Sequence, residues 1–309
     1  TSYRASKRTK LLKYEKLIES RFVKMPKKLI DSKINYDDIL NDVNIPIQQK
    51  RYILEASLEL LEYSFAKNDM GKKEFLQLFY DISHSRAKLG LGKKLDIKTP
   101  SNPLNSHRAV KLSTGLGFKD GKEIGYLGFR PAYHDLEDSN YGFLRGTQIE
   151  FLNLELSYSD DSVEVQKATI LSIVSLAQRS EFIKAFSWRM KLGFDRDSLQ
   201  EDTNLIASLG TGLSWGNELG FIYFMVDPLL YNTTKVSTAI GGSVGLIVDR
   251  YAFMNTNIEL TDRYYDNGEK QLLIKASQSF RISQNTQLQF KYDYKDSVQT
   301  YKAMFNYYF

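Results

Sequence analysis

The sequence predicts a mainly β fold: a transmembrane barrel of about twelve antiparallel strands in residues 100–309, preceded by a small α-helical segment in residues 1–99. Three observations carry this expectation. Beyond residues 100–103 the apolar period changes from 3.6 to 2 and stays there to the end of the chain. The apolar faces of the alternating stretches are aromatic and about ten residues long, the length a tilted strand needs to cross hydrocarbon, whereas globular strands average five or six. The last stretch, residues 301–309, is itself a strand with aromatic or apolar side chains at alternate positions up to the terminal Phe309.

The helical segment reads as three helices. Apolar residues recur at three- and four-residue steps in 8–23 (Leu11, Leu12, Tyr14, Leu17, Ile18, Phe22), in 47–67 (Ile53, Leu54, Leu58, Leu60, Leu61, Phe65) and in 72–89 (Phe75, Leu76, Leu78, Phe79, Ile82), with loops at Pro26 and at 68–71. Three short helices offer little core, so this segment is expected to need the barrel or an upstream domain to pack against. It is also the basic part of the chain. Residues 1–105 hold 21 Lys and Arg against 13 Asp and Glu, while residues 106–309 hold 21 against 24. Such a bias suits anionic lipid headgroups, nucleic acid or a plain solvated surface; with an outer-membrane reading, lipid is the expected partner and nucleic acid is not.

In the barrel segment the alternation is strict. In 109–119, Val110, Leu112, Leu116 and Phe118 face one way and Lys111, Ser113, Gly115, Gly117 and Lys119 the other. In 184–194, Phe186, Trp188, Met190, Leu192 and Phe194 oppose Lys184, Ser187, Arg189, Lys191 and Gly193; in 287–295, Leu288, Phe290, Tyr292 and Tyr294 oppose Gln287, Gln289, Lys291, Asp293 and Lys295. A soluble sandwich also alternates. Long aromatic faces set against Gly, Ser, Gln, Lys and Asp favour lipid on one side and a polar lumen on the other. The negative mean hydropathy agrees, because lumen residues dilute the average. Twelve strands are expected at approximately 107–119, 123–135, 147–158, 163–177, 183–195, 203–215, 218–230, 236–249, 253–264, 269–282, 286–295 and 299–309. An even number puts both barrel ends on the periplasmic side. Asp120-Gly121 and Asn267-Gly268 read as two-residue hairpin turns, and 136–146 as the longest connection.

No cysteine is present, which excludes disulfides, thiolate metal sites and a cysteine nucleophile within this chain. No run approaches the roughly 20 apolar residues of a spanning helix. The start, Thr-Ser-Tyr-Arg, leads us to expect a mature product or a piece of a longer protein. There is no Gly-x-Ser-x-Gly elbow, no His-Glu-x-x-His site and no phosphate-binding Gly-rich loop, and neither a cofactor nor a metal is expected.

The candidate sites are three. Arg130, Tyr133, His134, Asp135 and Glu150 form a polar cluster expected at the periplasmic rim, either a hydrogen-bond network or, through His134 and Asp135, an acid–base site; on a strand these two neighbours would face opposite sides. Lys111, Lys184, Arg189, Lys191, Lys275, Arg281, Lys291, Asp293 and Lys302, with Glu155 and Glu259, are expected to face the lumen, lining a pore or closing it with salt bridges. Tyr301, Phe305, Tyr307 and Phe309, with Ala303, are expected on the lipid face of a terminal strand similar to the signal read by the barrel assembly machinery.

Residues 106–118 (Ser-His-Arg-Ala-Val-Lys-Leu-Ser-Thr-Gly-Leu-Gly-Phe), 127–135 (Leu-Gly-Phe-Arg-Pro-Ala-Tyr-His-Asp) and 146–152 (Gly-Thr-Gln-Ile-Glu-Phe-Leu) resemble the C-terminal half of large outer-membrane proteins with an Lnb-type periplasmic domain. Residues 3–11 look like the junction just after that domain. Lnb is a lipoprotein N-acyltransferase, and the family's chemistry belongs to a cysteine-dependent upstream domain. The resemblance therefore implies a non-catalytic barrel anchor with an upstream periplasmic domain as partner. The alternatives are an outer-membrane solute channel and a barrel enzyme like outer-membrane phospholipase A. The latter uses a His-x-Ser pair, and here Ser106-His107 are adjacent, His134 has Leu136 two positions on, and His84-Ser85 is helical.

Overall fold

A computed structural model describes residues 5–97, 99, 101–159, 162–196, 204–232, 236–251 and 253–309. Tyr3 and Arg4 of the expected junction, Pro100 at the expected boundary and Thr203 at the start of one expected strand lie outside these residues. The chain divides into two compact units. One comprises Thr1–Pro100 with Arg179–Lys184, the other Ser101–Gln178 with Ala185–Phe309.

Among the described residues the first unit contains five helices, two more than expected: α1 (Lys7–Leu17), α2 (Met25–Ile30), α3 (Tyr36–Asn41), α4 (Ile47–Ala66) and α5 (Lys72–Lys88). Helix α1 stops at Leu17, not Val23. Pro26 is no loop signal here, because it occupies the first turn of α2, where its missing N–H would have had no intrahelical partner. Asn35 and Asp38 cap α3 reciprocally. Leu11, Ile39, Ile53, Leu54, Leu61 and Ile82, all in this unit, are fully buried. Some of its basic charge is paired within it: Lys7 with Glu62, Lys10 with Glu59 at 2.5 Å, and Arg86 with Glu55 at 2.5 Å.

The second unit is a closed antiparallel barrel. Its strands are β1 (Lys111–Lys119), β2 (Lys122–Arg130), β3 (Ala132–His134), β4 (Thr147–Ser159), β5 (Ser162–Ser175), β6 (Ser187–Asp195), β7 (Asn204–Gly216), β8 (Gly220–Asn232), β9 (Val236–Val248), β10 (Met254–Tyr265), β11 (Lys270–Arg281), β12 (Thr286–Lys295) and β13 (Val298–Tyr308). Pro131, which has no N–H for the ladder, separates β2 from β3. Both pair with β4, so they form a single stave and the barrel has twelve. Staves adjacent along the chain pair with one another, and β1 pairs with β13 to close the ring.

Register puts the two faces of each strand in different media. Leu112, Leu116, Phe118, Trp188, Phe224 and Phe290 are all exposed on the outside, while Ser113, Ser187, Ser243, Gln287, Gln289 and Asn306 are buried inside. A continuous apolar exterior around a polar interior is stable only in lipid. No described helix is long and apolar enough to cross a membrane; this chain crosses with strands. It is an outer-membrane protein, and its helical segment is periplasmic.

Asp120 and Gly121 both have positive φ, 49° and 79°, as their hairpin requires. The Asn267-Gly268 turn is longer than expected. Tyr265 donates to the Glu269 carbonyl and Gly268 to that of Tyr265, so four residues separate β10 from β11. The two longest connections, 135–146 and 176–186, lie at the end where β1 begins and β13 finishes, the reverse of the usual short periplasmic turns.

Candidate functional site in the barrel lumen

The connection 135–146 does not hang into solvent. After β3 ends at His134 the chain turns inward, and its polar groups meet strands on opposite walls. The Leu136 carbonyl accepts from Asn255 Nδ2 at 2.6 Å and Asn257 Nδ2 at 3.1 Å on β10. Glu137 accepts from Gln289 at 3.0 Å and pairs with Lys291 at 2.6 Å on β12. Asp138 accepts from the Tyr308 hydroxyl of β13 at 2.7 Å, and Arg145 and Asn140 both bind Asp249. Leu136 packs against Leu176, Phe221, Tyr223, Met225 and Ile247. The connection is a plug across the periplasmic end of the lumen.

Its centre is an ion network. Arg130, fully buried at the end of β2, donates to Asp135 at 2.9 Å and to Asp138 at 2.5 Å, with Glu150 at 3.9 Å. Lys111 of β1 reaches the same two carboxylates at 3.0 and 3.3 Å. Burial acts to raise both carboxyl pKa values, but the two cations outweigh it and hold Asp135 and Asp138 below the ordinary carboxylate range. Beside them His107 Nε2 lies 3.1 Å from His134 Nδ1, and both rings pack on Phe143. Burial lowers the His107 pKa, which neighbouring Asp138 only partly offsets.

Above the plug a cavity of about 420 Å³ extends from Asp135, Leu136 and Glu137 to Lys119, Lys295 and Thr300 at the outer hairpin ends. Ten Lys and Arg and eight Asp and Glu line it, and many are paired across the wall. Arg189 binds Asp227 at 2.7 Å and Glu259 at 2.5 Å, and the Tyr223 hydroxyl also donates to Glu259. Lys191 pairs with Asp195 at 2.5 Å, Lys302 with Glu155 at 2.7 Å and Asp293 at 3.6 Å, and Lys167 with Glu150 at 3.5 Å. Gly245 is needed opposite Tyr223, because a Cβ there would overlap the ring that reaches Glu259.

The expected lumen residues thus separate into groups. Arg189, Lys191, Lys275, Lys291, Asp293, Lys302, Glu155 and Glu259 line the cavity, and Lys111 lies in the plug network. Two do not belong. Lys184 falls in the 179–184 segment that clusters with the helical unit, because β6 starts only at Ser187; it pairs with Glu181 at 3.7 Å. Arg281 ends β11, where it binds the Ser283 and Asn105 carbonyls and covers the Tyr141 ring at the barrel end. Within the rim cluster Arg130, His134, Asp135 and Glu150 come together inside, while Tyr133 points outward, about half exposed. Since the strand stops at His134, Asp135 escapes the alternation and joins it indoors. Tyr301, Phe305, Tyr307 and Phe309 are all on the outside face. The sequence reading missed Asp138, His107 and Tyr308, which only the inward fold of the plug assembles, and Asp227, whose inward place the alternation of β8 would have given.

Residues 100–309 match the family described as "Domain of unknown function (DUF7840)", and the chain belongs to that family. No curated protein matches. Solved structures similar to the chain include a KdgM porin in complex with disordered oligogalacturonate (11% identity, 65% of this chain and 99% of that one, TM-score 0.41). The COG4313 outer membrane channel from Pseudomonas putida F1 is similar at 11% identity (70% and 100%, TM-score 0.42), and a NanC porin at 8% (64% and 100%, TM-score 0.41).

Proposed function

We propose that the barrel is an outer-membrane passage for small hydrophilic solutes that rests shut, with residues 135–146 as its gate. The observation that carries this reading is the charged cavity of about 420 Å³ that reaches the outer hairpin ends yet stops at an ion-paired plug. A purely structural barrel has no need of an aqueous chamber with eighteen Lys, Arg, Asp and Glu side chains. Lysine and arginine interleaved with carboxylates suit zwitterionic or multiply hydrogen-bonding solutes rather than a single sign of ion. The plug is attached to the wall by side-chain hydrogen bonds, ion pairs and the packing of Leu136, and it lies in one continuous connection that would swing as a unit about its ends at His134 and Thr147.

A second reading, a non-catalytic anchor for an Lnb-type periplasmic domain acting on lipids or lipoproteins, is supported by the resemblance of residues 106–152 and by the ion-paired attachment of the plug to the barrel wall. Solute uptake by proteoliposomes separates the two. With residues 135–145 replaced by a short Gly-Ser turn, liposomes are expected to admit small sugars and amino acids much faster than those holding the intact chain. Equal, slow uptake by both would leave the anchor.

A further inference from the structure

We propose that His107, His134 and Asp138 form a binding site for one divalent transition-metal ion of the zinc type, tying the plug to the barrel wall. The three donors come from the segment before β1, from β3 and from the plug. His107 Nε2 and His134 Nδ1 are 3.1 Å apart, and Asp138 Oδ2 lies 3.7 and 3.8 Å from them, closing a triangle of ligand atoms. A tetrahedral zinc ion with bonds of about 2.0–2.1 Å sets its ligands about 3.3 Å apart, so shifts of a few tenths of an ångström fit this triangle to an ion. Two imidazoles and one carboxylate, with no thiolate, form a donor set that favours zinc, iron(II) or cobalt(II) over calcium or magnesium.

The proton placement favours a ligand as well. His107 Nδ1 is 2.7 Å from the Arg108 carbonyl, which can only accept. In the neutral ring the proton therefore sits on Nδ1, leaving the lone pair on Nε2 towards the triangle, the outer-shell arrangement that orients metal-bound histidines. Without metal, His134 Nδ1–H donates to that lone pair; with metal, the same proton moves to His134 Nε2 and no net proton is released. Arg130 competes for Asp138 Oδ2 at 2.5 Å, but it keeps Asp135 at 2.9 Å and Glu150 at 3.9 Å when the ion takes its share. All three ligand side chains are at most 5% exposed, so the ion would be captured as the chain folds.

The test is to refold the full chain in detergent with micromolar Co²⁺ or Zn²⁺, remove free metal, and measure bound metal per folded barrel. Folding is scored by heat-modifiable gel mobility. The intact chain is expected to hold one ion, with the intense visible bands of four-coordinate Co²⁺, and His107→Gln/His134→Gln to bind at least about tenfold more weakly. A folded intact chain with no stoichiometric metal, or equal retention by the folded double variant, overturns the proposal. Should the double variant not fold, the stoichiometry and spectrum of the intact chain decide alone. Metal content is read without any flux, so failure of the gated-passage reading leaves this result standing.

Discussion

Among single residues, Arg130 concentrates the account, because it is a fully buried guanidinium shared by two plug carboxylates. Removing one partner of a buried pair leaves the other charge desolvated and alone, typically at a cost of about 3–5 kcal/mol. Arg130→Leu is expected to lower the urea midpoint of barrel unfolding in detergent by a large margin, whereas Arg281→Leu at the barrel end should barely move it. Protons act on the same network through opposite windows. Asp135 and Asp138 have folded pKa values below their ordinary 3.8, so their contribution is present above that value and is lost only as the pH falls through the folded range. His107 has a folded pKa below 6.5. As the pH falls through 6.5 the unfolded chain takes its proton first, so the stability owed to neutral His107 is present above 6.5 and declines below it. The thermal midpoint should hold level from pH 8 to 7 and begin to fall between 6.5 and 5, and His107→Gln should flatten that part of the curve. A wild-type curve level down to pH 4 would contradict this.

At the scale of elements, what the sequence made legible follows from what alternation and periodicity can encode. The strand ends of the hairpins lie within a few residues of the expected ones because lipid on one face and a polar lumen on the other leave every position only one side to face. Six-residue helices such as α2 and α3 are too short to show a period, and Pro26 reads as a break although the first helical turn accommodates it. The plug was illegible for a different reason. Where a strand stops, as at His134, alternation no longer says where the next side chain goes, and the partners of Asp138 on β1, β2 and β13 are set by barrel closure. The terminal strand β13 pairs with both β1 and β12 and has its aromatics outward. We expect Phe309 to serve recognition by the assembly machinery, so its deletion should reduce the protein recovered in the outer membrane with little effect on the stability of barrels refolded in vitro. Normal yield in cells would contradict that role.

For the molecule as a whole, the architecture assigns the work to different parts. The lipid-facing exterior fixes the location and the charged cavity supplies a hydrophilic chamber; in the function proposed above, the plug decides whether that chamber leads anywhere. Single-channel recording in planar bilayers tests this most directly. The intact chain should insert with little or no steady conductance. Replacement of residues 135–145 by a Gly-Ser turn should give stable open events that excess salt does not abolish, since the lumen walls remain wet and charged. A plug-replaced barrel that is folded and inserted yet as silent as the intact one would contradict the gated passage.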